Sequence, residues 1–172
     1  SFFIIAIVLF QDQFRSALAN VGAGRTFLGW FKRQVDEVEI NEVIEACDTL
    51  SREKVGAIIV LERRNGLLNF AATGSNLDAK IHADLLYALF QSRSPLHDGA
   101  VIIRENRIVA AGCFLPISDN DNIDRQFGSR HRAAMGLSEM SDALVITVSE
   151  ENGNIKLWLN GNFQLCENAR VL

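Results

Sequence analysis

Hydrophobic and polar residues alternate along this chain with changing periods, and each change marks an element. Val38, Val43, Ile44, Cys47 and Leu50 fall on one helical stripe with charges opposite, so a helix capped by Asp36 is predicted to run to about Lys54. Gly56 to Leu61 is a continuous apolar run rich in β-branched residues, the mark of a strand buried on both faces. Asn65-Gly66 then predicts a turn into a weaker strand over Leu68 to Thr73. Ile81, Leu85, Leu86, Leu89 and Phe90 return to helical spacing, predicting a helix from Ala79 to Gln91 with His82 off the stripe, on the surface. Ala100–Arg104 and Arg107–Leu115 read as a hairpin about Glu105-Asn106, and residues 117–127, rich in Asp and Asn, as a loop. A helix from Arg130 to about Met140 follows. Strands are then expected over Ala143–Ser149, Ile155–Leu159 and, at an edge, Phe163–Leu165. The order predicts an α/β domain with a mixed central β-sheet flanked by helices, not a strictly parallel doubly wound one.

The N-terminal stretch has a different texture. Phe2 to Phe10 are nine apolar residues in a row, about half of the roughly 20 needed to cross a bilayer. With no basic segment before them and no small-residue cleavage site, they do not form a signal peptide. They read as the end of a longer hydrophobic helix, with a buried N-terminal helix as the alternative. A polar helix through Asp12, Arg15 and Ala19 ends at the Gly22-Ala23-Gly24 break, which lacks the strand and third glycine of a dinucleotide fingerprint. Residues 25–35 mix Phe27, Trp30 and Phe31 with Arg25, Lys32 and Arg33, as suits either a membrane-proximal linker or an aromatic edge packed on the core.

Composition narrows the function classes. The 172 residues carry a net charge of −4 and a pI near 5.4, which argues against broad nucleic-acid binding. Three cysteines without CxxC spacing imply free thiols in a reducing compartment, with Cys47 and Cys113 as core residues. Within this acidic chain, Gly128-Ser129-Arg130-His131-Arg132-Ala133-Ala134 is a compact basic segment at a helix start. Backbone N–H groups, the helix dipole and two forked guanidinium groups suit a phosphate there. Leu96-His97-Asp98-Gly99-Ala100 adds an imidazole and a carboxylate at the mouth of a strand. Carboxylate, imidazole and phosphate cradle together point to metal-assisted chemistry on a nucleotide. Taken singly, Asp98-Gly99 is also an ordinary turn, the basic triplet an ordinary solvated face, and Glu150-Glu151 an ordinary strand end.

His97-Asp98-Gly99-Ala100 and Gly128 to Ala134 resemble the DGA and RHR signatures of the diadenylate cyclase (DAC) domain family. The resemblance runs from about Phe10 to about Gly153 and takes in Phe10-Gln11, Arg15, Ala17-Leu18, Leu115-Pro116, Gly136, Ser138-Glu139 and Val148-Ser149-Glu150-Glu151. It is strongest to the membrane-anchored type. One departure is Ser129, where the family usually has Thr; the hydroxyl is kept, and activity is expected to survive.

The resemblance implies condensation of two ATP into cyclic di-AMP and two pyrophosphates, with one ATP per subunit of a face-to-face homodimer. It implies catalytic roles for Asp98, near the attacking 3′-hydroxyl, and for Arg130, His131 and Arg132. Gly99, Ala100, Phe114, Leu115, Gly128, Ser129, Ser149 and Glu150 would line the nucleotide, with adenine at the Phe114-Leu115 strand end. A divalent cation is expected on His97 and Glu151: Mn²⁺, which tolerates an imidazole better, or Mg²⁺, with Co²⁺ a third option. The implied organisation is a membrane-proximal helix end over 1–24, a linker over 25–35 and a catalytic domain over 36–172 on the cytoplasmic side of the cell membrane. The alternatives are a non-catalytic adenine-nucleotide sensor, for which Asp98 would serve little purpose, and a scaffold with degenerate signatures.

Overall fold

The chain divides between Asp36 and Glu37. A computed structural model describes residues 37–118 and 127–166. The expectations for residues 1–36, and most of the Asp/Asn-rich loop, lie outside the described residues. Among those described, no helix is long and apolar enough to cross a membrane.

Elements follow in the order α1 (Glu37–Arg52), β1 (Ala57–Leu61), α2 (Leu68–Ala71), β2 (Ser75–Lys80), α3 (Ala83–Phe90), β3 (Ala100–Arg104), β4 (Arg107–Cys113), α4 (Ser129–Met140), β5 (Leu144–Val148), β6 (Ile155–Leu159) and β7 (Asn162–Cys166). The strands form one seven-stranded sheet in the order β2-β4-β3-β1-β5-β6-β7. Only the β1–β3 pairing is parallel, with Ile59 opposite Val101; the rest are antiparallel. This is the mixed sheet that the sequence predicts.

Two periods of burial explain the layers. Every residue of β1 and β5 is buried, as befits central strands covered on both faces. On one face Ile58, Val60, Ile102, Val145 and Trp158 pack with Ala134 and Leu137 of α4. Ile59 is equally buried and points the other way along the pleat, toward the layer in which α1 packs on α3 and β5. Cys47, Cys113 and Cys166 are all buried free thiols; burial, with Cys166 and Asp48 nearby, pushes the Cys47 thiol up to about 12, so it stays protonated and inert.

One region departs from the predicted elements. The weak strand over 68–73 is instead the short helix α2, and the strand comes later, as β2. The Leu67 amide donates to Glu62 Oε2 at 2.9 Å and buried Leu67 starts the turn. β2 has no continuous apolar run because it is an edge strand, with most of its residues exposed. A bulge at Asp78, with φ of 48°, is held by the Arg107 guanidinium on β4. With 75–80 committed to the sheet, the next helix starts at Ala83 and not Ala79. His82, predicted as a bystander, caps that helix: its Nδ1 accepts from the Asp84 amide at 3.2 Å.

Candidate active site

Strand register brings four chain segments to one end of the sheet. Ala57 lies opposite Val148, Ile59 opposite Val101, and Ala100 opposite Cys113. Gly56 before β1, Asp98-Gly99 before β3, Phe114-Leu115 after β4 and Ser149 to Glu151 after β5 therefore emerge together. The four strands are neighbours, so the row spans roughly 15 Å at the usual interstrand spacing.

The corner before β3 is fixed by backbone. His97 Nδ1 lies 2.6 Å from the Ser94 carbonyl; a carbonyl only accepts, so Nδ1 is the donor there and Nε2 is left for another partner. Asp98 is exposed. Gly99 has φ of 125°, and a Cβ there would come within 2.7–2.9 Å of backbone atoms of Gly112 and Cys113. Its missing side chain thus answers to the β4 backbone, which bulges at this point. Ala100 is fully buried opposite Cys113. Phe114 stands 68% exposed beside half-buried Leu115, its amide donating to Thr73 Oγ1 at 2.9 Å.

Helix α4 opens on Gly128, in extended conformation with no side-chain cap, and its carbonyl takes the amides of His131 and Arg132 at 3.1 and 3.2 Å. Ser129 and Arg132 are exposed, while Arg130 folds back toward the sheet end. Arg130 Nη1 donates to Glu150 Oε2 at 2.7 Å, over the Cα of Gly56. Gly136 lets the same helix close onto the backbone of Pro116 to Ser118, and Ser118 Oγ donates to Glu139 at 3.0 Å. After β5, Ser149 is buried: its carbonyl accepts from Gly153 N at 2.9 Å and its Oγ from Glu151 N at 3.3 Å. Glu150 and Glu151 are exposed.

His131 faces inward. Its ring is 8% exposed, stacks on Phe127 at 5.3 Å and meets Trp158 edge-on at 6.0 Å. Burial, then the Lys156 and Arg130 charges, lower its pKa to about 4. Among the described residues its Nε2 has no hydrogen-bond partner. The imidazole is therefore neutral at pH 7, and the unfolded chain, with an ordinary histidine near 6.5, binds the extra proton first as pH falls. Stability is expected to drop on acidification between pH 6.5 and about 4, and His131→Phe should flatten that slope in denaturant titrations across this range. An unchanged slope in the variant would assign the effect to other groups.

A family model described as the DisA bacterial checkpoint controller nucleotide-binding domain, DAC, matches residues 44–163. The chain belongs to the DAC family. It is 39% identical over 171 residues to cyclic di-AMP synthase CdaA of Bacillus subtilis, a match that covers 97% of this chain and 63% of that protein. It is 38% identical to a diadenylate cyclase of Listeria monocytogenes, covering 92% of this chain and 59% of the relative. The chain thus spans about three fifths of the length of these relatives. Among solved structures, a double mutant of DacA from Staphylococcus aureus superimposes with a TM-score of 0.76 at 39% identity, over 78% of this chain and 90% of that one. A hypothetical membrane-spanning protein from Bacillus cereus gives 0.77 at 38% identity, over 94% and 79%.

In this DAC domain the sheet end and the start of α4 gather Asp98, Gly99, Phe114, Arg130, Ser149 and Glu150. His97 and Glu151 stand at the ends of β3 and β5, with β1 between them, on the order of 10 Å apart. Among the described residues no three His, Cys, Asp or Glu side chains cluster closely enough to hold a metal alone. The sequence reading missed Gly56 and the Arg130–Glu150 pair. Both depend on β1 and β5 being neighbours, which no local pattern declares.

Proposed function

We propose that this chain carries the catalytic domain of a diadenylate cyclase, joining two ATP into cyclic di-AMP with release of two pyrophosphates. The observation that carries the reading is the register of β1 and β3, which sets the exposed Asp98 corner beside Gly56 at the sheet end, where the Arg130 guanidinium from the start of α4 lies. The names of the relatives support the same chemistry.

In each half-reaction a 3′-oxygen bonds to an α-phosphorus and the bond to the β-phosphate bridge breaks, so pyrophosphate leaves. Asp98 orients the 3′-hydroxyl and accepts its proton. Arg130, Arg132, Ser129 and the first-turn amides after Gly128 bind the triphosphate oxygens. His131, neutral and packed among aromatic rings, fixes the rotation of α4 so that the two arginines flank the site. Phe114 and Leu115 receive adenine; Ser149 and Glu150 border the phosphates beside the Gly99-Ala100 corner.

A divalent cation fits as a shared ligand set and not as a protein cage: His97 Nε2 and, across the sheet end, Glu151 would hold it together with phosphate oxygens of the substrate. When bound, Mn²⁺, Mg²⁺ or Co²⁺ would neutralise triphosphate charge and polarise the α-phosphate. The imidazole favours Mn²⁺. Two chains face each other in the active species, and the apolar run at Phe2–Phe10 belongs to a membrane anchor, leaving residues 36–172 as the domain that meets cytoplasmic ATP. The matches to CdaA and to a membrane-spanning protein support this placement.

The test is incubation with ATP and Mn²⁺ or Mg²⁺ followed by mass analysis of the nucleotides. Cyclic di-AMP is the expected product. ATP binding with no product under either metal would make the chain a nucleotide sensor instead.

A further inference from the structure

Gly56 is buried immediately before β1, and its backbone is not in the left-handed region that favours glycine. Alanine would fit that conformation, so the backbone gives no reason for glycine here. The reason lies across the site. A Cβ at this position would stand 2.5 Å from Arg130 Nη1, 2.8 Å from Arg130 Cζ and 3.1 Å from Glu150 Oε2. The guanidinium lies in the space that a side chain would fill.

We propose that Gly56 is a positioning residue of the nucleotide site: it is the seat on which the Arg130 guanidinium is held, with Glu150 as the rail beside it. This rests on the proposed function. Glu150 is 64% exposed, and an ion pair so open to water is too weak to fix a four-bond side chain unaided. The floor at Gly56 supplies the restriction that the pair lacks. Arg130 is thus ordered before a phosphate arrives, and less rotamer freedom is lost when its donors engage. The crowded atoms belong to the far end of a flexible, partly exposed side chain and not to backbone. A methyl group at residue 56 therefore displaces the guanidinium while leaving the fold in place. That separates a positioning role from a structural one.

The experiment uses the full chain as parent, Gly56→Ala, Arg130→Ala and the double variant. Each is titrated calorimetrically with an ATP analogue whose α–β bridge is methylene, in Mn²⁺, and each is melted. Gly56→Ala should melt no lower than the parent and should bind the analogue roughly tenfold or more weakly, as for loss of a charge-assisted contact. Added to Arg130→Ala, it should change affinity no further, because its effect runs through that one side chain. Parent-like affinity in Gly56→Ala, a further loss in the Arg130→Ala background, or a lowered melting temperature would each overturn the seat. The proposed function fails separately, if the parent neither binds the analogue nor converts ATP. In that event a crystal structure of Gly56→Ala decides: a guanidinium still beside Glu150 overturns the proposal, and a displaced one sustains it.

Discussion

Asp98→Asn is expected to lower cyclic di-AMP formation by about 10²–10⁴-fold while leaving ATP affinity within a few fold of the parent. The asymmetry follows from placement. Asp98 is exposed at the corner before β3 and its carboxylate makes no hydrogen bond or ion pair with another described residue, so the substitution should change stability by no more than about 0.5 kcal/mol. The triphosphate is assigned to the arginines and amides of α4, which the change does not touch. Asparagine keeps the size of the side chain and a carbonyl acceptor, but it cannot take up the proton that the 3′-hydroxyl sheds. A binding module would show little loss of affinity and have no turnover to lose. Steady-state turnover, calorimetry with ATP and a melting curve on the same preparation check all three parts. Parent-like turnover by the variant would remove Asp98 from the chemistry.

Strands were legible where burial on both faces writes a continuous apolar run. Ala57–Leu61, Ala100–Arg104 and Leu144–Val148 are central strands, and their positions follow from the sequence within a residue or two. Ser75–Lys80 was not legible, because an edge strand buries little and its bulge at Asp78 breaks the alternation. The local signals there favoured Leu68–Thr73, whose apolar residues instead build the turn of α2 over the sheet. At the site, the Asp98 corner and the basic triplet could be found because each is a contiguous string of unusual residues. Sequence could not tell that His131 turns inward while Arg130 reaches Glu150. Adjacent residues on a helix point about 100° apart, and which of the three meets the sheet depends on Gly136 seating α4 against Pro116 to Ser118. The glycine at residue 56 carried no signal, since its partner comes from a helix much later in the chain.

The rate of cyclisation per chain is expected to fall with dilution, by about tenfold for each tenfold decrease once the chains are mostly apart, as the proposed pairing of two chains requires. Each chain offers one Asp98 and one Arg130-His131-Arg132 segment, whereas the product needs two ATP joined twice. A single site holding one ATP can present its 3′-hydroxyl only to an α-phosphate held elsewhere. Two-fold symmetry makes the two attacks equivalent, which a cyclic product with two identical linkages requires. Electrostatics oppose such a pair. Two triphosphates of charge about −4 held about 10 Å apart would repel by roughly 7 kcal/mol at the dielectric of water. That is comparable to the whole free energy of a micromolar association, so the proposed pair would form only as far as arginines and a divalent cation neutralise the phosphates. Metal should therefore raise the rate and move the change from second to first order in protein to lower protein concentration. Mixing Asp98→Asn chains with chains lacking Arg130 and Arg132 should not restore normal cyclisation, since both lesions then fall in the one shared chamber. Initial rates measured over a wide dilution series, with ATP and Mn²⁺ saturating, give the order directly. Specific activity that stays constant far below any measurable dimer affinity would place both ATP molecules on one chain and end the paired mechanism.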